Sequence, residues 1–135
     1  MYQFTEADKV WNRACGRSDC DNPGAGDSAL AALITFHSLA MNSGVLHALE
    51  TCSEVRVKAA ADGYRFFGLA ELANVIEAAL AEVQEVQRRG DDLEELEQLE
   101  QVLEDRYAAR VPDDQILVDA FGRVFKLRRS DFQPI

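Results

Sequence analysis

The chain has 135 residues, 47% of them hydrophobic, with only three prolines and a formal net charge of −10. That length supports one domain whose core needs no metal or disulfide to hold it. The charge excludes ordinary nucleic-acid binding, which depends on lysine and arginine meeting phosphates, and makes a surface that basic proteins find attractive. No apolar run approaches the roughly 18 residues of a membrane span. The opening MYQFTEADKVW lacks the basic start and apolar block of a signal peptide. A cytoplasmic location, away from membranes, is expected.

The first helix is expected from about Glu6 to Arg13, with Thr5 and Asp8 in capping-box positions and Gly16 as its stop. RSDCDNPGAGD (residues 17–27) reads as a loop and is the one segment expected to be mobile. Asp27 or Ser28 caps a second helix, on which Leu30, Leu33, Ile34, His37 and Met41 recur on one face. That helix stops at Asn42, Ser43 and Gly44, and a short third helix begins at once with Val45, Leu46 and Leu49. The joint reads as a tight corner, with Asn42 capping or bracing it and Gly44 in a left-handed conformation. A contact site beside His47 is the other reading of the same residues.

Ser53 caps a fourth helix through Val57, Ala60 and Tyr64, ended by Gly68; close helix packing is the reason expected for Gly63 within it. The fifth helix carries Leu72, Val75, Ile76, Ala79, Leu80, Val83 and Val86 as an apolar stripe and ends at Gly90. A sixth runs from Asp92 to about Arg110, with Leu93, Leu96, Leu99, Leu103 and Tyr107 inward. Pro112 breaks the chain, and Asp113 caps a seventh helix bearing Ile116, Leu117, Ala120, Phe121, Val124 and Phe125. Nothing alternates with period two, so the expected fold is all-α: a single compact domain of six or seven helices over residues 1–135.

In this order, FHSLAMNSG, an immediate short helix, an alanine-rich helix ending at Gly68, ELANVIEAAL and a late acidic stretch before a final helix resemble a known pattern. It is that of a bacterial all-α family named after a small DNA-mimic protein, otherwise a domain of unknown function. The resemblance spans roughly residues 30–132. Asn42 and Gly44 match the family's Asn-Gly-Gly joint, while Ser43 replaces its first glycine and Val45 stands where an aromatic is usual. The resemblance implies a non-enzymatic protein that binds partners, in at least one member by imitating duplex DNA towards a DNA-binding protein.

The residues that would serve such a role lie in DDLEELEQLEQVLED (residues 91–105), which holds eight of the 24 acidic residues and no lysine or arginine. As a helix it rises roughly 22 Å, or about one negative charge per 2.8 Å against one per about 1.7 Å of duplex DNA. Glu94, Glu97, Glu104 and Asp105 fall within an arc of about 100° away from the leucines, and Asp91 and Glu95 extend that side. Like-charge neighbours along it each cost roughly 0.2–0.5 kcal/mol. A face built for solubility alone would interleave lysines, although a plainly solvated face is the simpler reading. Arg123, Lys126, Arg128 and Arg129 near the C-terminus would weaken mimicry if they folded back onto this helix.

An enzyme is the less favoured class. GAG at residues 24–26 lacks the strand, spacing and lysine of a nucleotide loop. His37, His47 and Cys52 are the residues from which a site could be built, but no orienting group or oxyanion donor accompanies them. Cys15, Cys20 and Cys52 are odd in number and lack tight ligand spacing, so neither disulfides, zinc nor another cofactor is expected. The function expected is a non-enzymatic acidic interaction module whose partner is a basic protein, foremost a DNA-binding one. An immunity protein that neutralises a toxin is the alternative within the binding class. The apolar faces would also suit a homodimer.

Overall fold

Capping fixes where the helices begin. In the computed structural model, which describes residues 5–16, 23–90 and 92–134, α1 (Glu6–Gly16) opens on the expected box. The Asp8 amide donates to Thr5 Oγ1 at 3.1 Å, and the Thr5 amide donates to Asp8 Oδ2 at 2.9 Å. There follow α2 (Ala25–Ser43), α3 (Val45–Thr51), α4 (Glu54–Phe66), α5 (Ala70–Arg88), α6 (Leu93–Arg110), α7 (Gln115–Leu127) and a 3-10 turn, Arg129–Asp131. Ser53 Oγ accepts the Arg56 amide at 3.3 Å, and Asp92 Oδ1 accepts the Glu95 amide at 3.1 Å, as N-caps should. At α7 the N-cap residue is Asp114 rather than the expected Asp113, and it makes no side-chain cap bond; Asp113 Oδ1, one residue earlier, accepts the Gln115 amide at 2.8 Å. The protein is a single compact all-α domain of seven helices, with no strand among the described residues.

The start of α2 differs from expectation. The helix begins at Ala25, so neither Asp27 nor Ser28 is its cap and residues 25–27 are helical rather than loop. Residues 17–22, which the expected mobile loop also covers, lie outside the described residues. Asp27 sits in the first turn, 5% exposed, and its carboxylate gathers three donors. These are the Gly24 amide at 2.9 Å, the Gln133 amide at 2.6 Å and the Arg13 guanidinium at 2.8 Å. Arg13 also donates to the carbonyls of Gln133 at 2.7 Å and Pro134 at 3.2 Å. The C-terminal segment is thereby tied to α1 and α2. The glycines of GAG make room for it. A Cβ on Gly26 would lie 2.5 Å from the Phe132 ring, and one on Gly24 would lie 2.2 Å from the Asp131 carbonyl oxygen.

Helix α2 is the hub, packing on α1, α3 and α4, with α4 backed by α5. Gly63 lets α4 lie close against α2, since a Cβ there would stand 2.5 Å from the Ala29 carbonyl oxygen. Phe67, Phe121, Phe125 and Phe132 join α4, α7 and the C-terminal segment, with ring centroids 5.2 to 6.4 Å apart. That is the spacing at which tilted and edge-on rings attract.

Two residues expected inside are outside. Met41 is 53% exposed in the last turn of α2, although it lies in phase with the buried Leu30 and Ile34. Leu93 is 77% exposed at the first position of α6. That helix is held mainly by its second half, where Leu103 and Tyr107 are buried, while Leu96 and Leu99 are only half covered.

Candidate partner-binding surface

The joint between α2 and α3 is a corner, as expected, but a different residue holds it. Gly44 has φ 95° and ψ 155°, a positive-φ extended conformation that is essentially restricted to glycine, not the left-handed helical one. Its amide closes α2 on the Ala40 carbonyl at 2.9 Å, and its carbonyl accepts the Ala48 amide at 3.0 Å to start α3. Asn42 is exposed, and no side-chain bond of Asn42 braces the turn. The capping group comes instead from α6: Glu104 Oε1 accepts the Val45 amide. A Cβ on Gly44 would approach that same oxygen to 3.0 Å.

One turn further along α6, Tyr107 enters a buried polar chain. Tyr64 Oη lies 2.7 Å from Tyr107 Oη, Tyr107 Oη lies 2.7 Å from His37 Nδ1, and His37 Nε2 lies 2.7 Å from Asp114 Oδ1. The directions follow from the ends. Asp114 as a carboxylate only accepts, so His37 Nε2–H donates to it and Nδ1 accepts from Tyr107; Tyr107 then accepts from Tyr64. Every buried side-chain polar atom described has a partner. Burial raises both phenols, Tyr64 well above the ordinary tyrosine range; for Tyr107 the Tyr64 hydroxyl opposes the rise, while Asp114 and Glu104 add to it. His37 is thus a satisfied core histidine that ties α2 to α4, α6 and the head of α7.

His37, His47 and Cys52 occupy three separate surroundings. His47 is exposed, with Nε2 3.2 Å from the Thr51 hydroxyl of its own helix. Cys52 lines a shallow cleft of about 170 Å³ with Ala31, Ala32 and Phe36 among its walls, a cleft neither histidine reaches. Burial raises the Cys52 thiol, with Arg56 pulling weakly the other way, which leaves it a poor nucleophile. No group of three or more His, Cys, Asp or Glu side chains able to hold a metal occurs among the described residues.

The acidic helix divides its carboxylates between two tasks. Glu104 caps α3, and Asp92 caps α6 itself. Glu95 pairs with Arg89, which also reaches Glu85 at 3.4 Å. Asp105 accepts only from the Gln101 side-chain amide, at 3.0 Å. Glu94, Glu97 and Glu100 are exposed and have no cationic partner among the described residues. Asp91 lies outside the described residues. The C-terminal cations do not fold back onto this face. Arg128 pairs with Asp131 at 2.7 Å and stacks over Phe66 at 4.6 Å. Arg129 pairs with Glu6 and covers Phe125 at 4.9 Å, while Arg123 and Lys126 stay exposed.

Sequence reasoning did not find Arg13, Asp27, Asp114 or the paired tyrosines. A tyrosine in a buried stripe does signal that its hydroxyl needs a partner, yet nothing local says that the partner of Tyr107 sits 70 and 43 residues away.

Fold and surface together define an acidic helical domain with part of one helix face left unneutralised. A family model, the DMP19-like protein model, matches residues 25–126. The chain belongs to the DMP19-like family, whose members are named for a DNA-mimic protein. Neither the curated proteins nor the solved structures give a match. No helix among the described residues is long and apolar enough to cross a membrane.

Proposed function

We propose that this protein is a non-enzymatic DNA mimic that occupies the DNA-binding surface of a basic protein through α6. The observation that carries this reading is the row Glu94, Glu97, Glu100 and Asp105, four exposed carboxylates without a cation among the described residues. They span roughly 16 Å of helix, with gaps averaging about 5.5 Å, within a factor of about two of the 3.4 Å interval of phosphates along one DNA strand. Glu95 and Glu104 support the surface rather than form it, because their charges answer Arg89 and the Val45 amide. Family membership supports the same role.

The surface acts through its field. A basic cleft shaped for phosphates gains from a rigid row of carboxylates what it gains from a strand, including counterion release, so binding falls steeply with added salt. The test is capture from a lysate of the source cells on immobilised protein across a salt series, against the triple variant Glu94→Lys, Glu97→Lys, Glu100→Lys. A DNA-binding protein that is retained at low salt, displaced by duplex DNA and lost with the variant supports the reading. A toxin in its place moves the assignment to immunity. Equal retention by the variant rules α6 out.

A further inference from the structure

Between α5 and α6 runs a groove of about 480 Å³, lined on its apolar side by Ala81, Val86, Leu99 and Val102. Val102 forms its lip and is 41% exposed. The groove exists because α6 is pinned by its second half and leaves Leu99 only half buried against α5. Its charged rim is partly balanced: Arg89 binds Glu85 and Glu95 at one end, and Arg106 binds Glu82 at 2.7 Å at the other. Outside the groove's own lining, Asp105 lies three residues and about 60° from Val102 around α6, and Glu94 lies eight residues and about 80° away, four residues from the groove-lining Gln98; neither has a cation among the described residues.

We propose that this groove seats an aliphatic side chain from a basic amphipathic helix of the partner. The inference rests on the proposed function and adds what kind of segment the partner presents. An apolar slot bordered by unpaired carboxylates complements a leucine, isoleucine or valine with lysine or arginine one turn away, the helix-in-groove mode of recognition. A second copy of the chain fits less well, since it would bring its own unpaired Glu94 and Asp105 to the same lip and repel them. The acidic row then steers the partner, and the groove contributes a component that salt does not screen.

The experiment uses a labelled helical peptide with leucines at i, i+4 and i+7 flanked by lysines, followed by fluorescence anisotropy against the full chain at low and high salt. Val102→Ser, at a half-exposed position, is expected to weaken binding about fivefold to tenfold at high salt, with the helical circular dichroism unchanged. Leu93→Ser is the control. It removes a still more exposed apolar side chain on the opposite side of α6, since nine residues at 100° each end half a revolution round from Val102, and it should leave binding intact. If Val102→Ser binds as well as the unaltered chain while the triple charge reversal does not, the groove is overturned and the acidic row stands. If the unaltered chain fails to bind the peptide at any salt, both fall. If the chain sediments as a dimer that Val102→Ser dissociates, the occupant is a second copy and the proposed partner helix is wrong.

Discussion

Glu97 and Glu104 are seven residues apart on α6 and, after two turns, lie within about 20° of one another. One is exposed with no cationic partner among the described residues; the other is half-buried, its carboxylate on the Val45 amide. Composition and helical phase treat them alike. What separates them is roughly 10 Å along the helix axis, the distance that brings Glu104, and not Glu97, against the start of α3. A charge run therefore has no single role: where another element packs, its carboxylates become structure, and where none does they remain available to a partner.

That contrast can be sharpened by removing carboxylates in order of how deeply the fold uses them. Asp27→Ala has the largest expected effect. It removes the buried carboxylate that pairs with Arg13 and accepts the Gly24 and Gln133 amides, at a cost of about 3–5 kcal/mol in urea unfolding. Gly44→Ala comes next. It forces an ordinary residue into a glycine-only conformation and crowds Glu104, costing about 1–3 kcal/mol. Glu104→Ala removes the cap of α3 and costs about 1 kcal/mol, and Glu104→Gln, which keeps an acceptor, recovers most of it. Glu97→Ala should leave the unfolding midpoint where it was. A loss for Glu97→Ala as large as for Glu104→Ala would erase the distinction.

The buried phenols supply a separate, alkaline check. Tyr64 and Tyr107 are both raised, so the fold holds them protonated where an unfolded chain would ionise. Their stabilisation is present in full below the ordinary tyrosine value of about 10 and is lost as pH climbs above it. Urea midpoints should stay level on this account to about pH 10 and then fall. The fall should be smaller in Tyr64→Phe, which also leaves Tyr107 able to donate to His37.

Much of the fold was legible because its signals are local. Thr5 with Asp8, Ser53 and Asp92 announce helix starts through residues three apart, and the stripes on α4 and α5 need only a period. Gly63 announced close packing without naming Ala29 as the neighbour. The failures share a cause. Met41 and Leu93 fall on apolar stripes, but only the neighbouring helices decide which residues of a stripe find cover. Asp27 looked like a cap because the segment that recruits it, at Gln133, is 106 residues distant. Of the proposed surface, the acidic run of α6 is legible in the sequence, and which of its carboxylates the fold itself engages is not. Glu95 and Glu104 are set apart by Arg89 and Val45, contacts made from other helices that the sequence does not announce.

The central claim is that the carboxylates without partners on α6 stand in for DNA phosphates, and the most direct measurement is competition. With the captured partner purified, its binding to duplex DNA is followed while the full chain is added, in parallel with the Glu94→Lys, Glu97→Lys, Glu100→Lys variant and with Glu104→Gln. The account predicts that the unaltered chain and Glu104→Gln displace the DNA, with a potency that falls as salt rises, and that the triple variant does not. A partner that binds DNA and this chain together, or is displaced equally well by the triple variant, would contradict it.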